Sequence, residues 1–367
     1  MSNRHPFKRF VLLSLLALLP AFLLAALYVV KDPFHVIKPY KGRVYNPGDT
    51  IALTINWGHV TVESFKYFDP DGHFDSFIFG SSISGYYLIK DWQPYLPSDA
   101  HPFHFNATRE TLVGIRNKLK YLTSRGVPIK NALIIMEDEM LQRRPLDGDV
   151  LFVQHPETTE DVSWWDFHQM FFNAFRRPEL VGYLLFPSAM VQTVLDKGYA
   201  TTDITTRIEP INEGYYAWAD SVIAVNPDAF FTQEHIAKYT LPLKELPCPP
   251  KIQEWVKSLL TEIAQLLHEQ GTDYQIIIPP HYGYEAIDSQ DLFLLENIFG
   301  QERVHDYSHD PEMGSQLCHY YDGGHLIAQD CARLIDSAYR TVTLPSPYFT
   351  IEVDSISDNY SQVRATP

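Results

Sequence analysis

The chain has 367 residues, with 45 Asp and Glu against 29 Lys and Arg, giving a formal net charge of −16. That length can bury a sizeable core and suits one large α/β domain or two modest ones, of which one is expected. Lys and Arg are scattered beyond the extreme N-terminus, which excludes a nucleic-acid binder needing a basic footprint and argues against electrostatic adhesion of the folded part to anionic lipid. The 26 Pro, 22 Tyr and 22 Phe describe a loop-rich, aromatic-rich chain, a composition frequent in sugar-binding and polymer-binding proteins without being diagnostic of them.

In chain order, residues 1–9 carry Arg4, Lys8 and Arg9, and residues 10–30, "FVLLSLLALLPAFLLAALYVV", carry no charge. The stretch is long enough to span the hydrocarbon core, and the basic flank belongs in the cytoplasm. A single-pass anchor in the inner (cytoplasmic) membrane, with the C-terminal domain on the extracytoplasmic side, is the favoured reading. A cleaved signal peptide competes with it, although the apolar run exceeds a usual h-region and lacks a clean A-x-A site.

Residues 31–73 read as an extended juxtamembrane lead-in with turns at Asn46-Pro47-Gly48-Asp49 and Asp69-Pro70-Asp71-Gly72. From residue 74 the pattern alternates. "FDSFIF", "NALIIM" and "YQIIIPP" read as buried strands. Thr108 is expected to cap a helix whose Leu112, Ile115, Leu119 and Leu122 share one face. Pro249-Pro250 introduce an amphipathic helix, residues 288–299 a shorter one, and residues 326–338 the last. The rhythm predicts a parallel α/β sheet covered on both faces, over residues 74–340. Residues 140–247 break it and read as a mostly helical insertion or cap; core packing is the favoured role of aromatics such as "SWWDFHQMFFNAF", ahead of ligand stacking. Residues 341–367 form a C-terminal tail. Of the three cysteines, Cys318 and Cys331 either form a bridge or stay free, and Cys248 is odd.

The chemistry concentrates at two places. Ser82 in "FGSSISG" follows the first strand, and ligands of parallel sheets bind beyond the carboxyl ends of strands. A neutral serine needs a base and a group to orient it. "HYYDGGHL" places Asp322 and His325 three apart in a glycine-containing loop before the last helix, so His325 would be the general base and acid and Asp322 would select its tautomer. His281 in "PPHYG" also follows a strand, where a hydrogen-bonded structural histidine is favoured over a pocket residue. The segment holding His305, Asp306, His309, Asp310, His319, Asp322 and His325 has the residue types of a metal site and no specific ligand spacing.

"FDSFIFGSSISG", "FNATRETLVGIRNKL", "LIIMEDEML", "YQIIIPPHYG" and the closing "HYYDGGHLIAQDCARLI" together resemble the successive blocks of SGNH (GDSL-type) hydrolases. The likeness covers roughly residues 74–337, interrupted by 140–247. It is nearer to membrane-anchored members linked to surface-polymer acylation, of the D-alanyl-transfer and alginate O-acetylation types. The resemblance implies a three-layer α/β/α, flavodoxin-like fold, with Ser82 at the nucleophile position and Asp322 and His325 at the D-x-x-H pair. Ser81 stands where GDSL proteins have aspartate. Asn106 matches the asparagine before the family's oxyanion glycine, whose own place falls at about Thr108. Glu137-Asp138-Glu139 replaces the usual G-x-N-D, so the family's asparagine donor is missing there.

The resemblance implies an exported serine esterase or O-acyltransferase acting on an acylated glycopolymer or acyl donor, without a cofactor and with a membrane acyl-transfer protein as a candidate partner. The alternative is a catalytically inactive SGNH-like domain that binds glycan or scaffolds an envelope polysaccharide complex. A metal-dependent hydrolase ranks third.

Overall fold

Short apolar runs at five places in the chain pair into one sheet. The computed structural model describes residues 6–46, 48–145, 149–202, 204, 206–215, 217–242, 248–283 and 286–340. Strands β1 (Ser76–Phe79), β2 (Pro102–His104), β3 (Asn131–Ile135), β4 (Asp273–Ile278) and β5 (Val304–Asp306) are all parallel, in the order β2-β1-β3-β4-β5. The residue alternation of a strand then sends its side chains to two faces. Phe77, Phe79, Ala132, Ile134, Ile276 and Ile278 join one buried cluster, and Ile78, Leu133, Ile135 and Ile277 join another.

Helices cover both faces. The first cluster takes Phe65 from α2 (Trp57–Phe68), Ile115 and Leu119 from α3 (Leu112–Ser124), Leu260 and Ile263 from α5 and Leu295 from α6, where α4 is Trp164–Phe175, α5 Glu254–Glu269 and α6 Ser289–Phe299. The second cluster takes Tyr87, Trp92 and, from α7 (Ala328–Arg340), Leu334 and Ile335. A parallel sheet buried on both faces accounts for the uninterrupted apolar strands.

Preceding all of these, α1 (Pro6–Lys31) is long and apolar enough to cross a membrane, with a mean hydropathy of 2.7 over its most apolar window. The lead-in is not extended as expected: it contains α2, capped by Asn56, whose side-chain oxygen accepts from the His59 N–H at 2.9 Å. Gly58 and the β-branched Val60, Thr61 and Val62 hide this helix from propensity reasoning, and burial of Val62 and Phe65 overrides it. Thr111, not Thr108, caps α3 by accepting from the Gly114 N–H at 3.0 Å. The edge strands β2 and β5, three residues each, were not anticipated.

The middle region is mostly helical. Phe167, Phe171 and Phe175 of α4 are buried with Tyr28 and Phe34 in a third cluster, so these phenylalanines are core, whereas Trp164 and Trp165 at the start of the same run are exposed. Cys248, Cys318 and Cys331 are unbridged. The tail assigned to residues 341–367 lies outside the described residues.

Candidate functional site

β1 ends at Gly80 because no other residue fits there. Its φ is +156°, and a Cβ would stand 2.7 Å from the Ser84 Cβ and 3.0 Å from the Ile135 carbonyl oxygen of β3. The chain turns at once into a 3-10 helix, Ser82–Tyr86, capped by the buried Ser81, whose hydroxyl accepts from the Ile83 N–H at 3.3 Å. Ser82 is therefore the first residue of a helical turn beyond the carboxyl end of an inner strand, beside the point where the strand order reverses. Such a crevice is where open parallel sheets take their ligands.

The loop before α7 comes to meet it. His325 Nε2 lies 3.0 Å from Ser82 Oγ, and His325 Nδ1 lies 2.9 and 3.1 Å from the two oxygens of Asp322. Asp322 is itself held, accepting from the backbone N–H groups of Gly324 and His325 at 2.8 and 2.9 Å. Burial opposes its charge, but the hydrogen bond and charge of His325 and these two N–H groups outweigh burial and lower its pKa to about 2. An ionised carboxylate only accepts, so Nδ1 carries the imidazole proton and Nε2 is left to accept from the Ser82 hydroxyl. Ser82 and His325, 243 residues apart, and Asp322 form one hydrogen-bonded chain.

The other expected site residues divide. Asn106 borders the serine turn, with its Nδ2 lying 3.8 Å from where a Cβ on Gly85 would stand. Its Oδ1 is buried without a hydrogen-bond partner among the described residues. Thr108 instead lines a cavity of about 40 Å³ with Arg109, Glu110, Lys118 and Arg143, whose wall includes none of Ser82, Asp322 and His325. His281 is half-buried and bonds the carbonyl of its neighbour Tyr282 through Nδ1 at 2.8 Å.

Each acid of the triplet after β3 is paired with a cation. Arg143 donates to Glu137 at 2.8 Å and to Glu139 at 2.9 Å, and Lys251 pairs with the buried Asp138. The histidines of the C-terminal segment are each engaged separately: His305 with Gln275 at 2.7 Å, His309 with Asp306 and His319 with Asp330, both at 2.8 Å. They do not converge on a common point. Among the described residues the ligand-type atoms that do gather belong to Glu63, His155 and Glu157. There the Lys66 ammonium already lies 2.8 Å from Glu63 and 2.5 Å from Glu157.

Several neighbours escaped sequence reasoning. The Tyr86 ring packs edge-on against His325 with centroids 5.4 Å apart. From it a line of rings leads outward through Tyr321 at 4.9 Å, Phe230 at 6.3 Å from Tyr321, and Trp218 at 5.8 Å from Phe230. Trp218 is 65% exposed. The Tyr321 hydroxyl donates to Asp220 of the middle region and accepts from the Ala328 N–H at 2.9 Å, fixing the loop that carries Asp322. Tyr321 stood next to Asp322 in "HYYDGGHL", but nothing in the sequence linked it to residue 220. Comparison of the chain with protein-family models and with curated proteins finds no match to either.

Proposed function

We propose that residues 74–340 form an SGNH-like three-layer α/β/α domain, held outside the cytoplasmic membrane by α1, which works as a serine esterase or O-acyltransferase on acyl groups of a surface or secreted glycopolymer. The observation that carries this reading is the continuous chain from Ser82 Oγ through His325 to Asp322. Ser82 Oγ bonds to the acyl carbonyl carbon while its proton passes to His325 Nε2. The tetrahedral intermediate collapses by breaking the bond to the leaving oxygen, which takes the proton from Nε2 and departs as a hydroxyl. Water or an acceptor sugar hydroxyl then gives its proton to Nε2 and attacks the acyl-enzyme, and the same proton returns to Ser82.

Donors for the developing oxyanion are the Ser82 backbone N–H, which sits at the first position of its turn where no intrahelical acceptor exists, and the Asn106 amide beside that turn. Arg143 and Lys251 pair with all three acids of the triplet and offset most of their charge, which weakens the electrostatic objection to oxyanion formation. Tyr86 and Tyr321 of the ring line are buried, and its outer end, the half-buried Phe230 and the exposed Trp218, offers apolar faces for sugar rings. A tether at the membrane suits a transferase that receives its acyl group from a membrane partner.

The test is intact-mass analysis of the detergent-solubilised full chain after treatment with a fluorophosphonate, beside Ser82→Ala and His325→Ala. A single adduct on the wild type, absent from both variants, is expected. A folded wild type that takes no adduct overturns the enzymatic reading in favour of a domain that holds glycan without reacting.

A further inference from the structure

The middle helices are attached to α1 at a depth that matters. The Tyr28 ring lies 5.4 Å from Phe172 and 5.1 Å from Phe175 of α4. Leu24 and Leu27 of α1, and Val181 and Leu184 of the following helix Pro178–Leu185, pack against the cluster that these rings form with Phe171 and Leu180. The joint is stiff as well as apolar. The Asp32 N–H donates to the Tyr28 carbonyl at 2.8 Å, and the Asp32 carboxylate accepts from the backbone N–H groups of Val36, Ile37 and Lys38 at 2.8 to 3.1 Å. The orientation of the helices on α1 is therefore fixed by packing and not left to a linker.

Leu24 precedes Lys31 by seven residues, about 10 Å along a helix axis. Where α1 crosses a bilayer, the groups packed on Leu24 and Leu27 lie inside its apolar boundary. The chain there is suited to that place. Between Glu179 and Asp196 it carries no charged side chain, and it folds into two short helices, Pro178–Leu185 and Pro187–Asp196, joined at Phe186. At the tip Leu185 is 53% and Phe186 65% exposed. Cations stand at the hairpin's base and not on its tip: Arg176 is exposed, and Arg177 and Lys197 line a cleft with Phe34, Met170 and Leu180. The base also carries Glu179 and Asp196, so charge of both signs stands beneath an apolar tip, the profile of a segment whose tip alone is sunk past the headgroups.

We propose that this hairpin, residues 178–196, enters the leaflet facing the domain, with Leu185 and Phe186 among the acyl chains and Arg176, Arg177 and Lys197 at the phosphates. The inference rests on the reading of α1 as a membrane anchor. It does not conflict with the acidic charge of the domain, because burial of apolar surface drives the contact and charge does not. The consequence for the proposed chemistry is that the domain is held against the bilayer at two points and cannot rotate about α1.

Depth-dependent quenching tests it on the full chain in lipid nanodiscs. Cys248 and Cys318 are replaced by Ser, the buried Cys331 is kept, and one fluorophore is placed through Phe186→Cys or, separately, through Leu16→Cys at the middle of α1. Lipids carry a nitroxide either high or deep on the acyl chain. The expected result is that the probe at position 186 loses most of its emission with the shallow nitroxide and the probe at position 16 with the deep one. Quenching at position 16 with full emission at position 186 overturns the hairpin proposal and leaves the anchor intact. Full emission at both positions overturns the anchor and the hairpin together.

Discussion

Asp322 is the residue on which the site's proton arrangement turns. Its two oxygens serve His325 Nδ1 and two backbone N–H groups, and its pKa of about 2 keeps it an acceptor throughout the neutral range. Asn at this position presents an NH2 group toward Nδ1, so the imidazole proton moves to Nε2 and the serine loses its base. Asp322→Asn is expected to slow fluorophosphonate labelling of Ser82 by about 10³-fold or more while the unfolding temperature changes little; labelling at the wild-type rate would remove Asp322 from the mechanism. Ser82, Asp322 and His325 were legible in the sequence because each stands in a short, glycine-marked motif at an element boundary. Thr108 was misplaced because a family position was carried over where the flanking residues do not match. The surroundings of the triad, Tyr86 against His325 and Tyr321 on Asp220, follow from contacts between distant segments, which no local spacing encodes.

At the scale of elements, the strand to turn junction at Gly80 is the tightest constraint near the site. A methyl group there meets both the Ser84 Cβ of the serine turn and the β3 carbonyl of Ile135, so either the turn or the sheet must move. Gly80→Ala is expected to destabilise the protein by about 2 kcal/mol, through overpacking and backbone strain, and to lower labelling of Ser82 as the turn shifts. Chemical denaturation together with labelling rate checks both; an alanine variant of wild-type stability would show that the turn yields freely. Central elements were readable for a physical reason: β1, β3 and β4 are continuous apolar runs buried on both faces, and α5, α6 and α7 each keep one apolar stripe, with α6 capped by Asp288 and α5 following Pro249-Pro250. β2 and β5 were not, because an edge strand of three residues such as "PFH" or "VHD" carries no alternation to detect.

At the scale of the whole molecule, the middle region is hydrogen-bonded to the elements that carry the site. Asn212 donates to the His104 carbonyl of β2 at 2.7 Å, the His104 N–H donates to the Ile211 carbonyl at 3.0 Å, and the buried Glu213 accepts from the Ile89 N–H just past the serine turn. Glu213 sits in this joint at a cost that depends on pH. Burial is the main reason its pKa rises from 4.5 to about 7; the Ile89 hydrogen bond opposes the rise, Asp91 adds to it and Lys90 opposes it. A carboxyl raised in the folded state favours folding most while it is protonated. Its contribution is complete below about pH 4.5 and is lost as pH climbs through about 7. Glu213→Gln keeps an oxygen for the Ile89 N–H and removes the titration. The variant is therefore expected to match the wild type in stability at pH 4, to gain on it between pH 4.5 and 7, and to level off about 3 kcal/mol more stable above that range. Denaturant unfolding of both proteins across this window measures the difference directly, with the remaining titrating groups cancelling. A constant difference between the two across the range would mean that Glu213 is not the group whose ionisation loosens the cap from the site.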